Sequence, residues 1–179
     1  MALAGLWRRL TQGSEAEIAA GRLLVAVSAI ARQPAFFTEG RLPDELEARL
    51  ELLHLHAALA LIRLKAAPEA RGLAQAFTDQ HFRSIDAGLR EAGVGDLTVP
   101  KKMQKIAQAF YGRLAVYAEA LAAGDRQALA AALARNALPA AAAGFAPALA
   151  DYAAETHAGL AGQPVEALER LDSWRQAPA

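Results

Sequence analysis

The side chains in this chain that are best suited to metal or cofactor chemistry are histidines, and their spacing keeps them apart. His54 and His56 lie two residues apart in a stretch with helical periodicity. On an α-helix, side chains at this spacing point about 160° away from each other, so the two cannot share a metal ion. We therefore expect both to be hydrogen-bonded in or near the core. A metal or haem ligand at His56 is the alternative that its residue type leaves open.

Four carboxylates that could act as general acids or bases lie close together in the sequence: Asp79, Asp86, Glu91 and Asp96. Arginines lie among them, which favours ion pairing over acid-base catalysis. The chain has no cysteine, so disulfides, thiolate metal sites and thiol nucleophiles are excluded. It also lacks the zinc-hydrolase histidine motif, the serine nucleophile elbow and the phosphate-binding P-loop. We expect no catalytic residue, no metal and no cofactor, and we predict that the protein is not an enzyme.

The composition indicates one helical domain. A chain of 179 residues is long enough to bury its own core. Its 19 Lys and Arg residues balance its 19 Asp and Glu residues, whereas proteins that neutralise several phosphates usually carry a basic excess, so we expect no nucleic-acid partner. Much of the hydrophobic content is alanine, the strongest helix former.

No stretch of the sequence predicts a membrane span or a signal peptide. The longest uncharged run, residues 136–150, contains two prolines and is too short to cross a bilayer. Residues 1–13 lack an apolar signal core. We predict a cytoplasmic protein of bacterial type, with peripheral contact at the inner face of the membrane as the most that Trp7, Arg8 and Arg9 could provide.

Hydrophobic periodicity predicts an all-α, single-domain bundle of about six to seven helices. Ser14 and Glu17 form a capping box, so helix one is expected over Ser14–Arg32, after a short segment, residues 1–13, that is at most a frayed helix. A second helix opens at Pro43 and Asp44. From Leu52 onward it is apolar nearly all round, which predicts a buried central helix.

The later helices are predicted with less regular patterns. A third helical region begins at Pro68 and is expected to kink near Thr78, because its apolar positions change face there. Beyond the fourth helix we expect one helix up to Asn136 and two more, around residues 148–160 and 164–175. Their apolar positions are sparse, so residues 137–179 should pack peripherally within the domain 14–179.

A tightly specified turn joins the third helix to the fourth. Gly93 stands where a left-handed residue ends a helix, and Val94 is placed for the contact of a Schellman motif. Asp96 and Thr98 are capping candidates for the next helix, and Pro100 suits its first turn.

The fourth helix, predicted over Pro100–Ala122, has one face suited to the core. Its apolar side chains recur every three or four residues: Met103, Ala107, Phe110, Leu114, Tyr117 and Leu121. The opposite side carries Lys101, Lys105, Gln108 and Gly112. Glycine inside a helix is less favourable than alanine by about 1 kcal/mol. Gly112 therefore indicates the close approach of another backbone, which on a polar side could belong to a partner.

Two segments resemble the signature of the ubiquinol-cytochrome c chaperone family: Leu-Arg-Glu-Ala-Gly-Val-Gly-Asp-Leu at residues 89–97 and Ala-Phe-Tyr-Gly-Arg at residues 109–113. Upstream, residues 55–64 are similar to a histidine-bearing helix of the family, and Arg135-Asn136 resembles a weaker mark. The likeness covers residues 14–136. Ala92 stands where the family pattern carries a methionine, and residues 137–179 match no motif of the family.

The resemblance implies an all-helical, non-enzymatic assembly factor that binds newly made cytochrome b, or another subunit, during biogenesis of respiratory complex III. Some relatives act with a small helical co-chaperone. Carried over to matching positions, the residues implied for client or partner contact are Arg90, Gly95, Asp96, Phe110, Tyr111, Gly112 and Arg113. His56 matches a core or groove residue of the family, and no cofactor is implied.

With Lys101, Lys105 and Gln108, these residues form a predicted docking surface for a hydrophobic or amphipathic segment of an immature membrane subunit. Two other classes of protein remain as alternatives. An all-helical carrier would enclose a lipid, quinone or haem with His56 near the cavity. An RNA-binding module would use Lys101, Lys102 and Lys105, and its affinity would fall steeply with salt.

Overall fold

The computed structural model describes residues 2–38 and 40–178, with side chains described from residue 15 onward in the first helix. Regular structure in this part of the chain is entirely helical. There are six α-helices: α1 (Ala2–Ala31), α2 (Leu46–Lys65), α3 (Arg71–Glu91), α4 (Val99–Ala122), α5 (Arg126–Asn136) and α6 (Ala146–Ala161). The prediction of an all-α bundle is confirmed. None of the described helices combines the length and apolarity that a bilayer crossing requires.

Helix α2 lies at the centre of the bundle, as its apolar circumference predicts. Most side chains from Leu52 to Leu64 are buried, and α1, α3, α4 and α6 all pack against this helix. The ring of His56 is fully buried, with Nδ1 2.7 Å from the carbonyl oxygen of Leu52 and Nε2 2.8 Å from the hydroxyl of Tyr152 on α6. Both ring nitrogens therefore have protein partners, which confirms the core role of His56.

Helix α1 begins well before the predicted capping box. Its backbone is helical from Ala2 onward with no break at Ser14, so the helix starts earlier than predicted. A serine inside a helix costs less than about 0.7 kcal/mol relative to alanine, too little to end a helix flanked by good helix formers. The side chains of Trp7, Arg8 and Arg9 lie outside the described residues.

Helix α2 begins at Leu46, slightly later than Pro43 and Asp44 predicted. The Asp44 carboxylate accepts a hydrogen bond of 2.6 Å from Arg49 Nε instead of capping the helix. In the loop before α2, Phe36 is fully buried, because a phenylalanine ring exposed to water would be costly.

Helix α3 is continuous through Thr78, so the predicted kink is wrong. The buried stripe of this helix is formed by Phe77, His81 and Ile85. The kink was predicted because histidine was counted as polar. Without His81, the remaining apolar positions of α3 do not follow one face of the helix. The hydroxyl of Thr78 donates to the carbonyl of Ala74 at 2.8 Å, so its polar group is satisfied within the helix.

Residues 137–178 contribute to the core, whereas peripheral packing was predicted for this end of the chain. Leu149, Tyr152, Leu168 and Trp174 are buried and belong to the same hydrophobic cluster as α2. The helix predicted over residues 164–175 is replaced by two short 3-10 turns. The apolar side chains here are few but large, and the turns direct them inward without a continuous helix.

Candidate functional site

The turn between α3 and α4 ends the incoming helix in the predicted way. Gly93 has a φ of +79°, in the left-handed region that favours glycine. Its amide donates to the carbonyl of Arg90 at 2.9 Å, and the amide of Val94 donates to the carbonyl of Leu89 at 3.0 Å. These two hydrogen bonds define a Schellman motif, so the prediction from Gly93 and Val94 is confirmed.

Arg90 ties this turn to the last part of α3. Its Nε donates to the Asp86 carboxylate at 2.7 Å, and its guanidinium also pairs with Asp96. Asp96 is therefore engaged with Arg90 and does not cap α4. Thr98 occupies the N-cap position without a side-chain capping bond, while the carbonyl of Gly95 accepts from the Thr98 amide at 2.8 Å. The turn is held by ion pairs and backbone bonds, and the side chains of Arg90 and Asp96 stay largely exposed.

The outer side of α4 matches its predicted phasing. Lys101, Lys105, Gln108 and Gly112 are all exposed, and the first three form no side-chain ion pair or hydrogen bond with any described residue. A Cβ atom added at Gly112 would meet no heavy atom within 4 Å. Nothing in the described part of the chain therefore requires a glycine at this position. We call these four residues the outer surface of α4.

Phe110 is a core residue, and its ring is not accessible to a partner in this structure. Its ring is fully buried. The ring centroids of His54, His81 and Phe82 lie 5.3, 5.2 and 5.5 Å from that of Phe110. Phe110 lies on the apolar seam of α4, so at this position the family signature marks a residue that packs in the core.

Arg113 does not lie free on the surface either, because its guanidinium contacts α2. Its Nη1 lies 2.5 Å from the carboxylate of Glu51 and 3.4 Å from Nδ1 of His54, both on α2. The side chain is about one-fifth exposed, at 19%. Arg113 lies at the edge of the core-facing side of α4, and there it links α4 to α2.

Two buried histidines, His54 and His81, form a polar cluster. The spacing of residues along the sequence did not predict that they meet. The rings of His54 and His81 lie 5.5 Å apart. Nε2 of His54 and both ring nitrogens of His81 have no hydrogen-bond partner. Burial lowers the pKa of His54 to about 3, aided by His81 and Arg113, and burial lowers the pKa of His81 to about 4. Both rings are therefore neutral near pH 7. No group of three potential metal ligands occurs among the described residues.

The sequence signal for this cluster is the spacing of His81. It lies four residues after Phe77 and four before Ile85, in the middle of a buried stripe. Histidine at such a position packs as an aromatic ring, and its ring lies 6.1 Å from that of Phe77 in a stacked arrangement. Counting His81 as apolar gives the correct phasing of α3.

Tyr111 is the signature aromatic that reaches the surface. Its side chain is 47% exposed. The ring of Tyr111 packs against the rings of Phe82 and Phe110, whose centroids lie 5.9 and 5.5 Å from its own. The structure thus separates the predicted contact residues into an accessible group, Arg90, Gly95, Asp96, Lys101, Lys105, Gln108, Tyr111 and Gly112, and two residues engaged inside the bundle, Phe110 and Arg113.

Comparisons with known proteins agree with this architecture. A family model described as ubiquinol-cytochrome C chaperone matches residues 38–173. The crystal structure of the Cbp3 homolog from Brucella abortus is similar over 99% of this chain and 98% of its own, with 39% sequence identity and a TM-score of 0.79. No curated protein matches the chain. The matched segment runs from within the loop before α2 to the C-terminal 3-10 turns, and on these grounds the chain belongs to the ubiquinol-cytochrome c chaperone family.

Proposed function

We propose that the protein is a chaperone for the assembly of ubiquinol-cytochrome c reductase and that its client is newly made cytochrome b or another subunit of that complex. The proposal is supported by the family match over residues 38–173, which includes the turn and the whole of α4. It places the action in a bacterial cytoplasm, at or near the inner face of the membrane, because the client is a membrane subunit. A small helical co-chaperone is proposed as a second partner beside this client.

The client is proposed to bind the outer surface of α4 together with Gly95 and Asp96 of the turn. The observation that carries this proposal is the open space at Gly112. A helix with glycine in its interior is less stable than one with alanine by about 1 kcal/mol, and the chain itself has room for a larger side chain there. A partner backbone that approaches α4 closely is the explanation that we adopt.

The turn makes this surface rigid before a client arrives. The Schellman motif fixes the end of α3, and the contacts of Arg90 with Asp86 and Asp96 hold the turn against the helix. Leu97, at the tip of the turn, is 99% exposed. A fully exposed leucine four residues before Lys101 would offer an amphipathic segment an apolar contact next to a polar one.

The carrier alternative gains no support from the described residues. His56, its proposed ligand, has both ring nitrogens in hydrogen-bond distance of Leu52 and Tyr152. The clefts along the described surface open to solvent between helices, whereas a lipid, quinone or haem carrier needs an enclosed apolar cavity.

Photocrosslinking in cells tests the proposed client directly. A photoreactive residue at Gln108, on the outer surface of α4, should give an adduct with cytochrome b. The matched control is the same residue at Glu166, which is exposed on a C-terminal 3-10 turn. Adducts of equal yield at both positions, or adducts at Gln108 that contain only ribosomal or soluble proteins, would contradict the proposal.

A further inference from the structure

Two clefts lie on either side of Tyr111, on the flank of α4 next to its outer surface. One, of about 440 Å³, runs between α4 and the end of α2, with Ile62, Leu114 and Ala118 among its lining residues. The other, of about 370 Å³, runs between α2 and α3. Tyr111 and Lys65 line both clefts. The two clefts therefore adjoin at Tyr111 and Lys65, and together we call them the Tyr111 groove.

The charged side chains of the Tyr111 groove are all cationic. Lys65 and Arg71 are exposed on its rim, and neither forms an ion pair or a hydrogen bond with a described residue. No aspartate or glutamate lines either cleft. The chain has zero formal net charge, but at this groove two cations without partners lie next to apolar side chains. Such an arrangement favours the binding of anionic groups.

Two arginines elsewhere on the surface have carboxylate partners. Arg90 pairs with Asp86 at 2.7 Å, and Arg126 pairs with Asp151 at 2.5 Å. Lys65 and Arg71 therefore differ from the arginines whose charge is already matched within the chain. Charge complementarity favours an occupant that brings carboxylates.

The dimensions of the Tyr111 groove fit a short helix. The part of α4 that lines it runs from Tyr111 to Ala122, a rise of about 16 Å at 1.5 Å per residue. A guest helix of about three turns would span this length. A groove between helices suits the apolar face of a helix better than it suits the flat surface of a membrane.

Tyr111 is prepared as an anchor for such a guest. Its ring rests against Phe82 and Phe110, while 47% of its side chain is exposed. An aromatic ring that is already ordered loses little conformational entropy when a partner covers it. Tyrosines of this kind often contribute a large share of binding energy.

We propose that the Tyr111 groove binds an amphipathic helix whose apolar face is edged by carboxylates. The apolar side chains pack beside Tyr111, and the carboxylates pair with Lys65 and Arg71. This inference rests on the proposed function, because the helix is taken to belong to the client that also covers the outer surface of α4. It adds the chemistry by which the chaperone selects a segment of that client.

Labelled synthetic peptides test the inference with the full chain. One 16-residue helical peptide carries leucine and alanine on one face, edged by glutamates, and its twin carries lysines in place of the glutamates. Fluorescence anisotropy should give at least tenfold tighter binding for the acidic peptide, and the difference should shrink as salt rises. Equal affinity for the two peptides, or no binding of either, would overturn the inference.

Charge reversal on the protein locates the binding. The double variant Lys65→Glu, Arg71→Glu should lose at least tenfold in affinity for the acidic peptide. The control Arg32→Glu, Arg135→Glu also reverses two exposed cations, so it has the same net charge and should bind as the wild type does. Unchanged binding by the Lys65 and Arg71 variant would overturn the assignment of the groove. Circular dichroism of both variants verifies that the helices are intact.

Two further outcomes separate this inference from its rivals. Vesicles of phosphatidylglycerol and phosphatidylcholine that bind the protein and are not displaced by the acidic peptide would identify a membrane surface instead of a helix and overturn the inference. Failure of the peptides while cytochrome b still crosslinks at Gln108 would overturn the inference and leave the proposed function standing. Peptide binding without any cytochrome b adduct would support the groove and contradict the proposed client.

Discussion

Arg113 of α4 and Glu51 of α2 form an ion pair of 2.5 Å at the edge of the core, where their side chains are only 19% and 20% exposed. Burial raises the pKa of the Glu51 carboxyl, and Arg113 opposes that shift by favouring the charged form. The pair therefore links α4 to α2, and Arg113 offsets part of the cost of burying the Glu51 carboxylate. A residue that carries the family signature has in this case a structural partner inside the chain.

Removal of Arg113 should destabilise the fold. Arg113→Ala leaves Glu51 without its counter-charge in a poorly hydrated position, and the free energy of unfolding should fall by about 3 kcal/mol. Urea unfolding at pH 7.5 measures this change. The double variant Glu51→Gln, Arg113→Met should recover much of the loss. A change below about 0.5 kcal/mol in the single variant would mean that the ion pair contributes little in solution.

The buried histidines predict a pH dependence of stability. His54 and His81 have pKa values of about 3 and 4 in the folded protein, compared with about 6.5 in an unfolded chain. Below pH 6.5 the unfolded chain binds protons that the folded protein does not. The contribution of these histidines to the free energy of unfolding is therefore fully present above pH 6.5. It falls as the pH decreases toward 4, by up to about 1.4 kcal/mol per pH unit for each histidine.

His81→Phe provides the control for this pH effect. The substitution removes two unpartnered nitrogens and keeps an aromatic ring beside Phe77, so it should make the dependence between pH 6.5 and 5 less steep and raise stability at pH 5 relative to the wild type. Urea titrations at pH 7.5, 6 and 5 give the comparison. An unchanged slope in the variant would show that other groups cause the pH effect.

The two glycines of the turn should respond differently to alanine. Gly93 has a φ of +79°, so Gly93→Ala forces a Cβ atom into the left-handed region and should cost about 1 to 2 kcal/mol. Gly95 has no positive φ, and a Cβ atom there meets nothing within 4 Å. Gly95→Ala should therefore change stability by less than about 0.5 kcal/mol.

Thermal and urea unfolding of the two alanine variants distinguish these positions. Equal losses of stability would contradict the separate backbone roles of the two glycines. Because Gly95 lies in the proposed docking surface, reduced client capture by a fully stable Gly95→Ala variant would indicate a contact with the client instead of a defect in the fold.

The turn and α4 could be predicted from the sequence because their signals are local. Gly93, Val94 and Pro100 act on the backbone within a few residues, and the apolar seam of α4 follows one period along its whole length. The prediction that Lys101 and Gly112 lie on the exposed side of α4 is confirmed for the same reason. Local signals of this kind do not depend on what the neighbouring helices contribute.

The partners of side chains at helix edges could not be predicted, because they depend on tertiary packing. Arg113 has Glu51 as its partner only because α2 lies beside α4. Burial of His81 depends on the same arrangement, as does the meeting of Lys65 and Tyr111 in one groove. The family signature gave no help in this respect, since it marks the buried Phe110 and the exposed Tyr111 alike.

Client capture by Gly112→Leu is the most direct test of the proposed docking surface. The fold has room for this side chain, and leucine favours helix over glycine by about 0.7 kcal/mol, so the variant should be at least as stable as the wild type. Gly159→Leu is the matched control, because Gly159 is an exposed glycine of α6 with equally open space around it. The measurement is the amount of newly made cytochrome b that co-purifies with each protein from cells. Loss of cytochrome b with a folded Gly112→Leu variant, and its retention with Gly159→Leu, is the predicted result; equal capture by both folded variants would contradict the docking surface.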